Sequence, residues 1–271
     1  MVLSALLRFV YPPPASLFLT AMSIMSCASL VIAGLMEITG KSMIHYSKMF
    51  NTSNTKVEGS KRKMIEFSGR NGMLLAYFPA FVAGVASLTF MQDEGRRFTL
   101  VTSAIAVHFF KRLFEVLFIH KYSGSMPIDT VIIISGSYFL YAACVAYSQH
   151  LTAGFPEPMI DLKYAGTAMF LVGIIGNFYH HYLLSKLRKE GEKQYKIPHG
   201  GLFNLVICPH YLFEILEFIG ISCISQTVFP SSFTVGSTSY LIGRSYATRK
   251  WYLSKFEDFP KDVKAILPYV F

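Results

Sequence analysis

Apolar residues fall in long runs separated by short polar stretches, and the runs match the roughly 20 residues that an α-helix needs to cross a hydrocarbon core. They extend from Ser16 to Met36, Gly72 to Met91, Phe98 to Ile119, Thr130 to Ser148, Tyr164 to Leu184, Leu202 to Phe229 and Phe233 to Tyr246. The pattern predicts an all-α fold: a polytopic bundle of about seven transmembrane helices making one integral membrane domain over residues 1–271. The first run lacks any charge and is long for a cleaved leader, so it reads as a retained signal anchor. About fifteen residues precede it, too few for a soluble domain at that end.

Composition agrees with that class. Of the 271 residues, 52% are hydrophobic and only 15% are charged, against roughly 25% in an ordinary soluble domain. Mean hydropathy is +0.41. Such a chain is too apolar to be disordered or to coat nucleic acid. The net charge of +9 is explained by where the bases lie. Lys41, Lys48, Lys56, Lys61, Arg62, Lys63 and Arg70 follow the first span; Lys186, Arg188, Lys189, Lys193 and Lys196 follow the fifth; Arg249, Lys250, Lys255, Lys261 and Lys264 fill the tail. The loop between the fourth and fifth spans instead carries Glu157 and Asp161 with Lys163. Positive loops favour the cytosol, so the expected topology has the N-terminus outside and the C-terminus cytosolic.

Ionisable side chains inside a span cost about 2.5 to 3.5 kcal/mol each on insertion scales and therefore mark pockets, partners or proton paths. In AVHFFKRLFEVLF, His108, Lys111, Arg112 and Glu115 fall on one helical face, where a Lys111–Glu115 bridge alone would leave His108 and Arg112 unexplained. Asn177, His180, His181 and Arg188 do the same on the fifth span, and His210, Glu214 and Glu217 on the sixth, with Tyr211 three residues before Glu214. Pro209 breaks the helix at that point and predicts a protein-lined cavity there.

Three polar faces near the basic side predict a site for a soluble, charged ligand. The eight histidines form no H-x-x-x-H or H-x-x-H-H box, so a metal is not expected. No G-x-G-x-x-G or P-loop cradle is present either. Arg112, Arg188, Lys189, Lys196 and Arg249 are suited to phosphate oxygens. Retention of topology or attraction to anionic lipid explains a basic rim equally well. Cys27, Cys144, Cys208 and Cys223 lie far apart in apolar stretches and read as buried free thiols.

The segment YKIPHGGLF (Tyr195 to Phe203), then CPHYLFEILEFIG, then the terminal WYLSKFEDFPKDVKAILPYVF resemble the steroid 5α-reductase family, which includes the very-long-chain trans-2-enoyl-CoA reductases. The likeness extends over about Gly69 to Phe271. It implies a multi-pass enzyme of the endoplasmic reticulum membrane that uses NADPH to reduce a C=C bond conjugated to a carbonyl in a lipid, with the cofactor in the C-terminal half, about 160–271. It further implies cofactor contacts at Asn177, Arg188, Tyr195, Lys196, Glu214 and Tyr252. We add Arg112 as a phosphate candidate, and His181 and His210, which stand where the family usually has Asp and Asn.

The two branches of that family differ in their acid and base. The resemblance implies Lys111 and Tyr211 as the catalytic pair of the enoyl-CoA branch. The steroid branch uses a Gln-Glu pair and a Tyr, where this chain has Ala76, Tyr77 and Phe109; Tyr77 and Phe109 are accordingly the expected substrate contacts. Tyr77 or Lys111 is then left to donate to the carbonyl. Length favours a 3-oxo-Δ4 steroid, and the third-span motif favours a trans-2-enoyl-CoA. An isoprenylcysteine-type methyltransferase and a non-enzymatic seven-span scaffold are the alternatives, and neither gives YKIPHGGLF a role.

Overall fold

The first helix starts where Ser16 accepts the Leu19 amide at 3.2 Å, and it ends at Gly40, whose φ of 75° suits a residue without Cβ. In this computed structural model, which describes residues 8–13, 15–40, 65–91, 94–122, 124–187 and 194–271, seven α-helices follow one another. They are α1 (Leu17–Thr39), α2 (Gly69–Phe90), α3 (Arg96–Phe114), α4 (Ile128–His150), α5 (Lys163–Lys186), α6 (Pro209–Ser225) and α7 (Val228–Lys255). Three of them, α1, α2 and α4, are long and apolar enough to cross a membrane by length and composition alone. The remaining four interrupt their apolar surface with buried polar residues or, for α6, have only 17 residues.

Several boundaries differ from the expectation for physical reasons. The sixth apolar run begins at Leu202, yet its helix begins at Pro209, which occupies the first turn where a missing N–H costs nothing. Gly201–Asn204 forms a separate 3-10 turn. The third run finishes as a π-helical turn, Glu115–Ile119, in which the His120 amide bonds the Glu115 carbonyl at 2.7 Å. The last helix extends well beyond Phe233 and Tyr246 at both ends.

A small antiparallel ribbon was not expected. Strand β1 (Glu66–Ser68) pairs with β2 (Ser125–Pro127) in the register Glu66↔Pro127, Phe67↔Met126 and Ser68↔Ser125. Because each strand runs directly into a helix, the ribbon starts α2 and α4 side by side. These two helices pack together, as do α1 with α7 and α5 with α6.

The helix pairs approach closely through small residues. A Cβ added at Gly173 on α5 would meet the Glu217 amide nitrogen at 2.7 Å, and one at Gly243 on α7 would meet the Gly34 carbonyl oxygen at 2.2 Å. Aromatic and aliphatic side chains such as Tyr77, Phe109, Tyr141, Phe218 and Ile221 fill the interior. The terminal segment is stitched beneath the site: Ile207 N–H bonds Lys264 O at 2.9 Å, Cys208 N–H bonds Ala265 O at 3.2 Å, and Lys264 N–H bonds Leu205 O at 2.9 Å. That stitching explains why the last motif of the chain belongs to the start of α6.

Candidate active site

The three polar faces read from the sequence meet one another. On α3, His108 Nδ1 lies 2.6 Å from Glu217 of α6, and the Lys111 ammonium donates to Asn177 Oδ1 of α5. Lys111 also sits 3.5 Å from Glu115 and 3.6 Å from Glu217. Arg112 donates to Glu115 Oε2 at 3.0 Å and to the Tyr77 hydroxyl of α2 at 2.5 Å, with its cation 4.9 Å over the Tyr77 ring. Asn177 Nδ2 donates to the His210 carbonyl at 2.8 Å and approaches Glu214 at 3.4 Å. Charges this deeply buried persist only when paired, and here each cation has a carboxylate or an amide oxygen.

Glu115 is fully buried and is the hub of the group. His181 Nδ1 lies 2.9 Å from its Oε1. A carboxylate only accepts, so this nitrogen carries the proton and the 3.3 Å approach of Arg112 to it is a contact between donors. The π turn brings His120 to 3.8 Å from the same carboxylate, whereas in a regular α-helix residues five apart would point about 140° from each other. Burial holds the His120 imidazole below the ordinary histidine range; Glu115 opposes this and the Arg112 charge adds to it. Glu115, His120 and His181 present atoms of metal-ligand type within 4.8 Å of one another. Arg112 and Lys111 already supply two positive charges at that carboxylate, so the trio reads as an ion-paired cluster.

Above this layer is a cavity of about 460 Å³ to which all seven helices contribute. Its polar part presents Arg112, His120, Lys121, His181, Lys196 and Glu214, and its apolar part Leu30, Met73, Ile134, Phe218, Phe233 and Leu241. Tyr77, Tyr195, His210, Tyr211 and Tyr252 also line it. Tyr195 packs edge-on against Trp251 at 4.9 Å, and Trp251 in turn packs against Tyr252, which joins the 194–199 segment to α7. A space lined by cations, a carboxylate and aromatic rings together with aliphatic side chains suits a polar phosphorylated molecule meeting a lipid.

Other expected residues lie elsewhere. Lys111 and Asn177 form the layer behind the wall and do not line the cavity: their polar atoms are turned toward each other and toward buried carboxylates. Phe109 is also behind the wall, 1% exposed and packed on Tyr77 and Tyr138, so any contact it makes with a substrate runs through those two rings. Arg188 and Lys189 fall outside the described residues. Arg249 turns toward the C-terminal segment, donating to Val263 O and Lys261 O at 2.7 Å each. His180 faces away from its neighbour His181: its Nδ1–H bonds Gly176 O at 2.7 Å, its Nε2 accepts from Leu202 N–H at 3.1 Å, and its ring stacks on Phe213.

Sequence reasoning overlooked His120, Lys121 and Tyr138 of the cavity wall. The signal for His120 was its place immediately after the charged face of the third span. For Tyr138 it was a phenol beside Ser137 in the fourth span, which also carries Tyr141 and Tyr147.

Residues 125–271 match the family described as 3-oxo-5-alpha-steroid 4-dehydrogenase. The chain is 30% identical over 220 residues to the 3-oxo-5-alpha-steroid 4-dehydrogenase 2 of Macaca fascicularis, covering 79% of this chain and 85% of that protein. It is 32% identical over 200 residues to a probable very-long-chain enoyl-CoA reductase of Caenorhabditis elegans, covering 71% of this chain and 64% of that protein. Over 108 residues it is 42% identical to a steroid 5-alpha-reductase of Gossypium hirsutum, covering 40% of this chain and 42% of that protein. With more than half of its length matched and its three motifs gathered around one cavity, the chain belongs to the 3-oxo-5-alpha-steroid 4-dehydrogenase family of NADPH-dependent, multi-pass membrane reductases.

Proposed function

We propose that this protein binds NADPH and reduces a C=C bond conjugated to a carbonyl in a lipid, and that its substrate is a 3-oxo-Δ4 steroid. The observation that carries this reading is the joint placement of Tyr211, Glu214, Lys196 and the Arg112–Tyr77 pair around one cavity that is also lined by Leu30, Met73, Ile134, Phe218, Phe233 and Leu241. The donor set fits the cofactor: Lys196, Lys121 and Arg112 for phosphate oxygens, Tyr195 and Tyr252 as flat aromatic surfaces, and the Glu214 carboxylate as acceptor for a carboxamide N–H. Bound there, NADPH supplies the hydride for the β-carbon. His181 and His210 shape the same wall, and Arg188 is placed in the cofactor set on the resemblance alone.

Negative charge then develops on the carbonyl oxygen, where a preorganised donor has its largest effect. Tyr77 lines the cavity and accepts from Arg112, and its phenolic O–H is the donor this reading assigns to that oxygen. Tyr211 delivers the proton that the α-carbon takes. Lys111 acts from behind the wall: it holds Asn177, and Asn177 holds the His210 carbonyl and Glu214 in the turn that carries Tyr211.

A second reading, reduction of a trans-2-enoyl-CoA, is favoured by Lys111 and Tyr211 together and by the matching relatives named as enoyl-CoA reductases. Purified protein given NADPH with a 3-oxo-Δ4 steroid and, separately, a trans-2-enoyl-CoA decides between them by product mass. Absence of product from both would reject the reductase reading for these two substrate classes. We assign the cytosolic C-terminus from the basic loops and the endoplasmic reticulum membrane from the resemblance; protease access to a C-terminal tag in sealed microsomes checks the orientation.

A further inference from the structure

We infer that Tyr138 of α4 is a second hydrogen-bond donor to the substrate's carbonyl oxygen, forming with Tyr77 and Arg112 a two-phenol clamp. This rests on the reading of the cavity as the site of enone reduction and adds to it a residue that neither the motifs nor the resemblance assigns.

Tyr138 and Tyr77 both line the cavity. Their rings stack at 5.3 Å with planes 24° apart, so two phenols from different helices are carried side by side. Arg112 donates to the Tyr77 hydroxyl at 2.5 Å, and Tyr138 stacks on that same Tyr77 ring. A cation bonded to one phenol of a stacked pair polarises its O–H toward an oxygen that is gaining charge.

The neighbouring residues fit that role. Phe109 contributes a bare ring 5.6 Å from Tyr138 and 6.4 Å from Tyr77, with no polar atom at the place where a donor from α3 would have stood. It braces both phenols from behind. On the same helix Ile133 and Ser137 also line the cavity, while Tyr141 is buried against Phe218 and Phe233. A phenylalanine at 138 would fill the same stack on Tyr77, so the O–H is more than packing there requires.

A ketone oxygen is the ligand chemistry this clamp fits best. Two O–H donors match its two lone pairs, and the stacked rings give a flat wall beside it. A phenolic A-ring steroid such as estradiol is a useful probe, because its oxygen occupies the place of the 3-oxo group and its ultraviolet band shifts when that oxygen accepts hydrogen bonds.

The test compares wild type with Tyr138→Phe, which keeps the stacking ring, and with Tyr77→Phe, using whichever of the two enone classes the wild type reduces. We expect Tyr138→Phe to lower kcat/KM by about tenfold or more while the melting temperature and NADPH affinity stay near wild type. It should also weaken estradiol binding several-fold and reduce its spectral shift, a readout independent of turnover. Unchanged kcat/KM would overturn the inference, and so would lost activity with an unchanged estradiol spectrum, since that pattern marks Tyr138 as packing only. Should Tyr138→Phe fail to fold, estradiol binding to Tyr77→Phe answers the same question: a shift that is reduced but not abolished requires the second donor, and a fully abolished shift excludes it. A wild type inactive on both substrates would fail the reductase reading itself, while the estradiol spectra would still report on the clamp.

Discussion

The Lys111 ammonium donates to Asn177, and the same ammonium stands 3.6 Å from Glu217, whose other oxygen receives His108 at 2.6 Å. One lysine thus joins α3 to both α5 and α6 at a depth where neither carboxylate reaches solvent. Removing one member of such a group leaves a buried charge uncompensated, at about 3–5 kcal/mol. Lys111→Met should therefore lower stability by about that amount, measured as unfolding in detergent. Adding Glu217→Gln to Lys111→Met should recover part of the loss, because the stranded charge is then gone. Additive losses in the double variant would show that the two residues are not coupled.

Tyr211 and the cofactor residues can be separated by a fluorescence measurement. The chain has a single tryptophan, Trp251, packed between Tyr195 and Tyr252, both of which line the cavity. Titration with NADPH should quench its emission. Lys196→Met should weaken that titration about tenfold. Tyr211→Phe should leave it within about twofold while turnover falls about a hundredfold or more, as expected for loss of a positioned proton donor. A Tyr211→Phe enzyme of full activity would remove this phenol from the chemical step.

Much of this arrangement could be read along the chain because its polar groups had no other reason to lie in apolar runs. His108, Lys111, Arg112 and Glu115 on one face of the third span, with Glu214 and Glu217 on the sixth, announced a shared interior; all but Glu214 meet as ion pairs, and Glu214 is approached by the Asn177 amide. The depth of each residue was not legible. Lys111 and Arg112 are neighbours on that face, yet one lies behind the wall and the other on it, because Asn177 and Glu217 reach Lys111 first. His180 and His181 were equally indistinct, and the fold of Gly200 and Gly201 across α5 decides which of them is drawn into a loop. The π turn was invisible to a 3.6-residue count, since one additional residue in the turn swings His120 under Glu115. Tyr138 stood among other weakly polar residues of the fourth span, Ser135, Ser137 and Tyr141, with no charge to single it out.

Acid should act on the end of the bundle remote from the cavity. Arg97 begins α3, and fifteen residues of helix separate it from Arg112, about 22 Å. It bonds Glu157 through Nε at 2.9 Å, Asp161 at 2.7 Å, Gln226 Oε1 at 2.8 Å and Ile224 O at 2.7 Å. Burial raises the Asp161 carboxyl, but hydrogen bonds from Lys163 and the Arg97 charge outweigh it and hold the group below the ordinary carboxylate range. A folded pKa below the unfolded one stabilises above about pH 4, and the contribution is lost as pH falls through the depressed value. The Asp161 side chain is 32% exposed, so solvent screening keeps the effect small. Between pH 5 and 3, wild type should lose melting temperature more steeply than Asp161→Asn. Parallel slopes would show that this carboxylate does not report on folding.

The pair of helices α1 and α7 offers a different kind of test, because it is held by both shape and charge. Arg244 Nη1 lies 2.9 Å and 2.8 Å from the two oxygens of Glu37, and both residues are almost fully buried. One residue away, Gly243 packs on Gly34 with no room for a methyl group, so the helices touch backbone to backbone beside the pair. Such a pair is weakly net stabilising when intact, since desolvation offsets most of the attraction, but costly to break. Glu37→Leu alone should therefore destabilise by about 3–5 kcal/mol, whereas Glu37→Leu with Arg244→Met should lie within about 1 kcal/mol of wild type or above it. Because the pair is shielded, neither value should change much between 0.05 and 0.5 M salt, on the order of ionic strengths that would screen a surface bridge. A double variant as unstable as Glu37→Leu would mean that Arg244 contributes through other contacts, and that the shape of the α1–α7 seam, not its charge, sets the position of the helices bordering the cavity.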